Sequence, residues 1–233
     1  MRFRFLLLAL GWLIHLPGYS QTFVYHRDYA RLAKEATNPG SPGYYPALLQ
    51  QFRANASLTD PQVWALMAGY TSQPDFAPYK DLDTERHLYR LNDEKQYQQV
   101  LDEADPFIHR HPLSLQGLLE KSYAHHKLAQ PDSSEHYLRQ YKRLIEAMAA
   151  SGDGLSAETA IFTIGPTDGQ VFISRYRGRK LGSMGSGRDK QGNFLDILSV
   201  QGREGSAESG YDMYFQIQPA SSTMLRELRQ KTR

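Results

Sequence analysis

The stretch SGDGLSAETAIFTI, from Ser151 to Ile164, decides the fold. Two glycines flank one aspartate, and a β-branched, aromatic run follows at once. Upstream, LIEAMAAS (Leu144–Ser151) finishes a helical pattern. Gly152 suits the left-handed residue that closes such a helix, because glycine pays no Cβ penalty there. Asp153 and Gly154 then make a turn, Ser156 caps a brief helical turn through AETA, and Ile161 starts a sheet. One carboxylate is too few for calcium, which takes about 6 to 8 oxygens. The stretch therefore reads as a joint between two kinds of structure. Asp153 stays a candidate contact because it borders the predicted cleft between them.

Working back from the joint, apolar residues recur at helical spacing from Tyr25 to about Ala150, with no sustained alternation. RDYARLAKEA places Tyr29, Leu32, Ala33 and Ala36 on one face, and NPGSPGYYP ends it. In SLTDPQVWALMAGY, Thr59 or Asp60 caps a helix that has Pro61 in its first turn and Trp64, Met67 and Ala68 as its buried stripe. Aligning the chain with itself at an offset of 34 sets Tyr89 on Tyr123, Val100 on Ser134, Ala104 on Leu138 and Phe107 on Tyr141. That period is the length of a tetratricopeptide unit, a hairpin of two antiparallel helices. KQYQQVLDEADPFIHRHP resembles the second helix of one unit, and SLQGLLEKSYAHHKLAQPDSSEHYLRQYKRLIEAM a complete following unit, although Pro106 falls inside a predicted helix. An ordinary helical bundle whose spacing echoes at 34 is the alternative.

Forward of the joint the period changes to two. AIFTI, QVFISRY, NFLDILSV and YDMYFQIQ read as strands, linked by GPTDG and GSMGSGRDKQGN. Short or glycine-rich links with no long crossover predict an antiparallel sheet. The expected fold is thus α+β: an all-α, helical-hairpin region over 21–150, then a small antiparallel sheet with a C-terminal helix over 151–233.

The two ends add compartment and charge. Arg2 and Arg4 precede the apolar run FLLLALGWLIHL, and GYS supplies small residues, so residues 1–20 read as a secretory leader. The run is shorter than the roughly 20 residues that span a bilayer. Without Arg2 and Arg4, 27 cations fall to 25 against 25 acids. That balance offers no clustered positive face for nucleic acid. The basic RELRQKTR at the end suits the last turns of a helix. Cysteine is absent, which excludes disulfides, thiolate nucleophiles and cysteine-bound metal. The mature chain is expected to be soluble and exported, periplasmic or extracellular.

No catalytic constellation emerges. GSMGSGRD (Gly182–Asp189) lacks the Lys and Ser/Thr of a Walker loop, so it reads as a flexible hairpin loop, with Arg188 as a candidate anion contact. His109 with His111, and His125 with His126, are the histidine clusters, and neither has two imidazoles on one helical face beside a glutamate. There is no GxSxG elbow, and the acidic pairs Glu103/Asp105 and Asp81/Asp83 sit in solvated text. No cofactor and no metal are expected.

YYPALLQQF, SLTDPQVWALMAGYTSQPDFAPY, HPLSLQGLL, the joint itself and the late YDMYFQI occur in an order and spacing that resemble a family of exported bacterial proteins catalogued as a domain of unknown function. The resemblance spans about Tyr44 to Ile217 and implies an exported helical and β architecture, with no reaction to carry over. Two function classes follow. In one, stacked hairpins grip a peptide or partner protein of the cell envelope, with Tyr70, Phe76 and Tyr79 as exposed aromatics. In the other, the cleft between helical and β parts is an enzyme or small-ligand pocket using Asp153, His125 and Arg188. The first is the expected function.

Overall fold

A computed structural model describes residues 23–203, 205 and 209–231; the expected leader at 1–20 lies outside them. Seven helices come first: α1 (Tyr25–Glu35), α2 (Tyr45–Arg53), α3 (Asp60–Thr71), α4 (Pro78–Asp93), α5 (Tyr97–Arg110), α6 (Leu115–Lys127) and α7 (Pro131–Ser151). The expected start signal is in place at α3. Thr59 makes a capping box with Gln62 ahead of α3. Pro131 opens α7, where its missing N–H costs nothing. Helix α3 is buried all round from Val63 to Thr71, and its Trp64 Nε1 donates to the Ala147 carbonyl of α7 at 2.7 Å.

The 34-residue period is present in the backbone. Helix α4 ends at Asp93 and α6 at Lys127, while α5 begins at Tyr97 and α7 at Pro131. Each link holds one residue in the left-handed region, Lys95 (φ 62°) and Ala129 (φ 56°). The same closing bonds follow, Gln96 N to Leu91 O and Gln130 N to His125 O. Pro106 lies inside α5 without ending it.

After the joint come β1 (Ile161–Phe162), α8 (Asp168–Val171, continuing as a π-helical turn over Phe172–Tyr176), β2 (Leu181–Arg188), β3 (Phe194–Val200), β4 (Tyr211–Gln216) and α9 (Gln218–Lys231). The fold is α+β as expected. Its sheet runs β1-β4-β3-β2 and is antiparallel across β2, β3 and β4; the two-residue β1 adds to β4 in parallel, pairing Ile161 with Phe215. That parallel pairing differs from the expected all-antiparallel sheet, and α8 supplies the crossover it needs.

Three local expectations are corrected. QVFISRY is helical. Val171, Phe172 and Ile173 are consecutive and all buried, which an alternating strand on a one-sided sheet would not allow. Phe172 meets Phe215 edge-on at 5.8 Å, and a Cβ on Gly169 would stand 2.8 Å from Leu198 Cδ1, so glycine lets α8 lie close on the sheet. Conversely, LGSMGSGR is the edge strand β2 and only DKQGN turns. Gly187 fits against Ile197, and Asp189 Oδ1 accepts from the backbone of Gln191 and Asn193. Finally, Gly152 is extended (φ −179°) and Gly154 is the left-handed residue (φ 71°). What Gly152 provides is space, since a Cβ there would come within 2.3 Å of the Thr159 carbonyl.

One hydrophobic core runs from Phe23 to Ile217 through both regions. Helix α7 packs on β1, α6 on α8, and α9 on both α4 and β3. No helix among the described residues is long and apolar enough to cross a membrane.

Candidate functional site

Where α4, α6 and α7 meet the π-helical turn, the chain leaves a half-open cavity of about 440 Å³. Its walls are Tyr89 and Asn92 from α4, Glu120 and Tyr123 from α6, Tyr141 from α7 and Arg175 from the turn. A second cavity of about 300 Å³ shares Tyr89 and Arg175 and extends past Glu85, Gln116 and Thr167. Together they form one groove along the helical hairpins, closed on one side by α8.

The repeat explains the aromatic wall. Tyr89 and Tyr123 stand one period apart and present 48% and 42% of their surface to solvent, a high exposure for tyrosines. Tyr97 braces Tyr123 edge-on at 6.2 Å, and Lys127 Nζ lies 5.1 Å from the Tyr123 ring centre. Exposed aromatics side by side on one groove are what binding faces use, since each offers a large rigid surface at little entropic cost.

The polar wall is ordered by hydrogen bonds. Asn92 Nδ2 donates to both Glu120 O (3.0 Å) and Glu120 Oε2 (2.6 Å), and Gln116 Nε2 donates to Glu120 Oε1 at 2.5 Å. Burial pushes the Glu120 carboxyl up; the bonds from Asn92 and Gln116 and the nearby Arg175 guanidinium oppose it. Deeper in, Glu85 accepts from Ser114 Oγ (2.6 Å) and Thr167 Oγ1 (3.1 Å), tying α4 to the start of α6 and to the approach to α8. Its carboxyl is likewise raised by burial. Asp168 accepts the Ile164 and Gly165 amides with Oδ2 and is pushed up to about 7, chiefly by burial, with the neighbouring Glu85 carboxylate adding to it. Burial pushes the Tyr141 hydroxyl up to about 12.

The residues singled out from the sequence lie elsewhere. Tyr70 and Phe76 are core, not exposed: they pack edge-on at 5.3 Å and are 6% and 2% exposed. Their segment folds inward because the Tyr70 hydroxyl reaches His111 Nδ1 at 3.2 Å, the same nitrogen that lies 3.1 Å from Asp81 Oδ2. Two partners on one ring nitrogen do not make a proton relay. Tyr79 is half-buried and hydrogen-bonds with Ser221 of α9. Asp153 is exposed and accepts from Leu155 N at 2.9 Å, a turn-forming contact. Arg188 lies on β2 with its guanidinium 3.7 Å from the Phe194 ring centre. His125 stacks on Tyr137 at 5.5 Å and faces Gln130 Oε1 at 2.6 Å. Asp153, His125 and Arg188 line neither cavity of the groove. Among the described residues no three His, Asp or Glu side chains gather as a metal site. The sequence alignment at offset 34 already placed Tyr89 on Tyr123; Asn92, Glu120, Tyr141 and Arg175 carry no motif that would have marked them.

Residues 30–226 match a family model described as a domain of unknown function (DUF4919). No curated protein and no solved structure matches the chain.

Proposed function

Because the chain belongs to the DUF4919 family, whose description carries no activity, we propose a function from its own groove: a non-catalytic module that binds a peptide or an extended segment of a partner protein in the bacterial cell envelope. The observation that carries this is the pair Tyr89 and Tyr123, set one 34-residue period apart and exposed on the same groove. Two tetratricopeptide-like hairpins, α4–α5 and α6–α7, present that groove as such arrays present their concave faces. Export is supported by the basic and apolar pattern of residues 1–20 and by the absence of cysteine.

Binding fits the groove better than catalysis. Each buried carboxylate there already accepts with both oxygens, Glu85 from Ser114 and Thr167, Glu120 from Gln116 and Asn92. Those bonds hold both carboxylates in place and work against the burial that raises them, which lowers their basicity and suits a fixed wall better than a general base. The second reading, a small-ligand or enzyme site at the same groove, draws on the raised carboxyls of Glu85 and Glu120. A library of displayed random peptides separates the two. Peptides selected on the mature protein should lose affinity with Tyr89→Ala and Tyr123→Ala. Turnover of an envelope substrate that falls with Glu120→Gln, or failure to select any peptide, would contradict the proposal.

A further inference from the structure

Two atoms in the lining residues of the larger cavity have no hydrogen-bond partner: Asn92 Oδ1 and Tyr141 Oη. Both residues are more than nine-tenths buried, at 5% and 7% exposure. Native proteins leave few buried polar atoms unpaired, and each one costs stability unless something answers it. Neither orphan is interchangeable. The Asn92 amide nitrogen is committed to Glu120 O and Oε2, so its oxygen remains purely an acceptor. The Tyr141 hydroxyl, raised to about 12, keeps its proton at neutral pH and has a donor to give.

A guest that answers both atoms must thus bring a donor to Asn92 Oδ1 and an acceptor to Tyr141 Oη. Charge narrows it further. At the mouth the exposed Arg175 and Asp93 offset each other and the buried Glu120 disfavours an anion, so the lining selects no charged guest. A peptide unit carries one N–H, one C=O and no net charge. The cavity of about 440 Å³ exceeds one such unit, leaving room for flanking side chains on Tyr89 and Tyr123.

We propose that this cavity binds the main chain of an extended peptide, one amide N–H donating to Asn92 Oδ1 and a carbonyl accepting from Tyr141 Oη. The site then reads backbone more than any charged side chain, and the proposal rests on the peptide-binding reading above. Both orphan atoms are closed to solvent in the free protein, so the guest must part the lining to reach them. Association is accordingly slower than on an open surface.

The test begins with peptides of about twelve residues selected from a random display library on the full mature chain. Each selected peptide is resynthesised with single amides replaced by esters, which removes one N–H and keeps the shape. Affinities are measured by calorimetry on the wild type and on Tyr141→Phe. One ester position should weaken binding by about five- to tenfold, and Tyr141→Phe by a similar factor. The urea midpoint of free Tyr141→Phe should be unchanged or higher, because that hydroxyl has no partner to lose. If peptides bind but the ester scan is flat and Tyr141→Phe binds like wild type, the backbone proposal fails while peptide binding stands. A Tyr141→Phe loss accompanied by a lower urea midpoint would assign the hydroxyl a structural role and also overturn it. If no peptide is selected while a panel of oligosaccharides binds and Tyr123→Ala abolishes that binding, both readings fall.

Discussion

At Asp168 a single carboxylate closes the turn after β1 by accepting the amides of Ile164 and Gly165. Burial, with Glu85 adding repulsion, raises it from 3.8 to about 7. The sign of the consequence is fixed. Between those two values the folded chain holds a proton that the unfolded chain has released, so stability falls as pH rises through that window. Asp168→Asn keeps an oxygen for both amides and removes the titration. Its urea midpoint should decline less between pH 4.5 and pH 7.5 than that of the wild type; an equal decline would show that Asp168 does not titrate there. Asp81, also pushed up to about 7 by burial, preserves part of the slope in the variant. None of this was legible from GPTDG, which reads correctly as a turn but hides which side chain holds it. Gly152 teaches the same lesson. The joint was readable, but the reason for glycine is a neighbouring carbonyl from Thr159, a contact that exists only once the turn has folded back.

At the scale of elements, legibility follows the range of the interactions involved. The helix start at Thr59 is local chemistry and was readable, whereas Pro131, which reads as part of a turn, opens α7. The 34-residue period was readable from aligned side chains such as Tyr89 on Tyr123, and each link repeats the same left-handed closure, at Lys95 and Ala129. That closure is built without glycine, and a left-handed L-residue costs about 1 kcal/mol or somewhat more. Ala129→Gly should therefore raise the unfolding free energy by about 0.5–1 kcal/mol in urea titrations, with no change in helix content; a destabilised variant would contradict the closure described. QVFISRY and LGSMGSGR exchanged roles for a non-local reason. The first is β-branched but has three consecutive apolar residues to bury, which a helical turn on a sheet accommodates. The second is glycine-rich, yet it lies at the sheet edge, where close approach to β3 outweighs weak strand propensity.

At the scale of the whole molecule, a chain that reads as two regions shares one core. Phe23, ahead of the first helix, stacks on Phe162 of β1 at 4.9 Å and lies 5.5 Å from Trp64 of α3, so the joint between helices and sheet is packed. Thermal unfolding of the chain should accordingly give one calorimetric transition whose van't Hoff and calorimetric enthalpies agree. Two separable transitions would mean that the regions fold independently. The same packing places α8 against the hairpins and so creates the groove, which explains why its polar wall was invisible in sequence: Arg175 comes from a segment that reads as a strand, and Asn92, Glu120 and Tyr141 meet only through tertiary contact. The measurement that tests the central claim most directly is the affinity of one selected peptide for three proteins: the wild type, the double variant Tyr89→Ala/Tyr123→Ala, and Met184→Ala. Met184 is an even more exposed apolar residue on β2, away from the groove lining. The account predicts at least about tenfold weaker binding for the tyrosine pair and less than about twofold change for Met184→Ala. Equal affinity for all three proteins would contradict it.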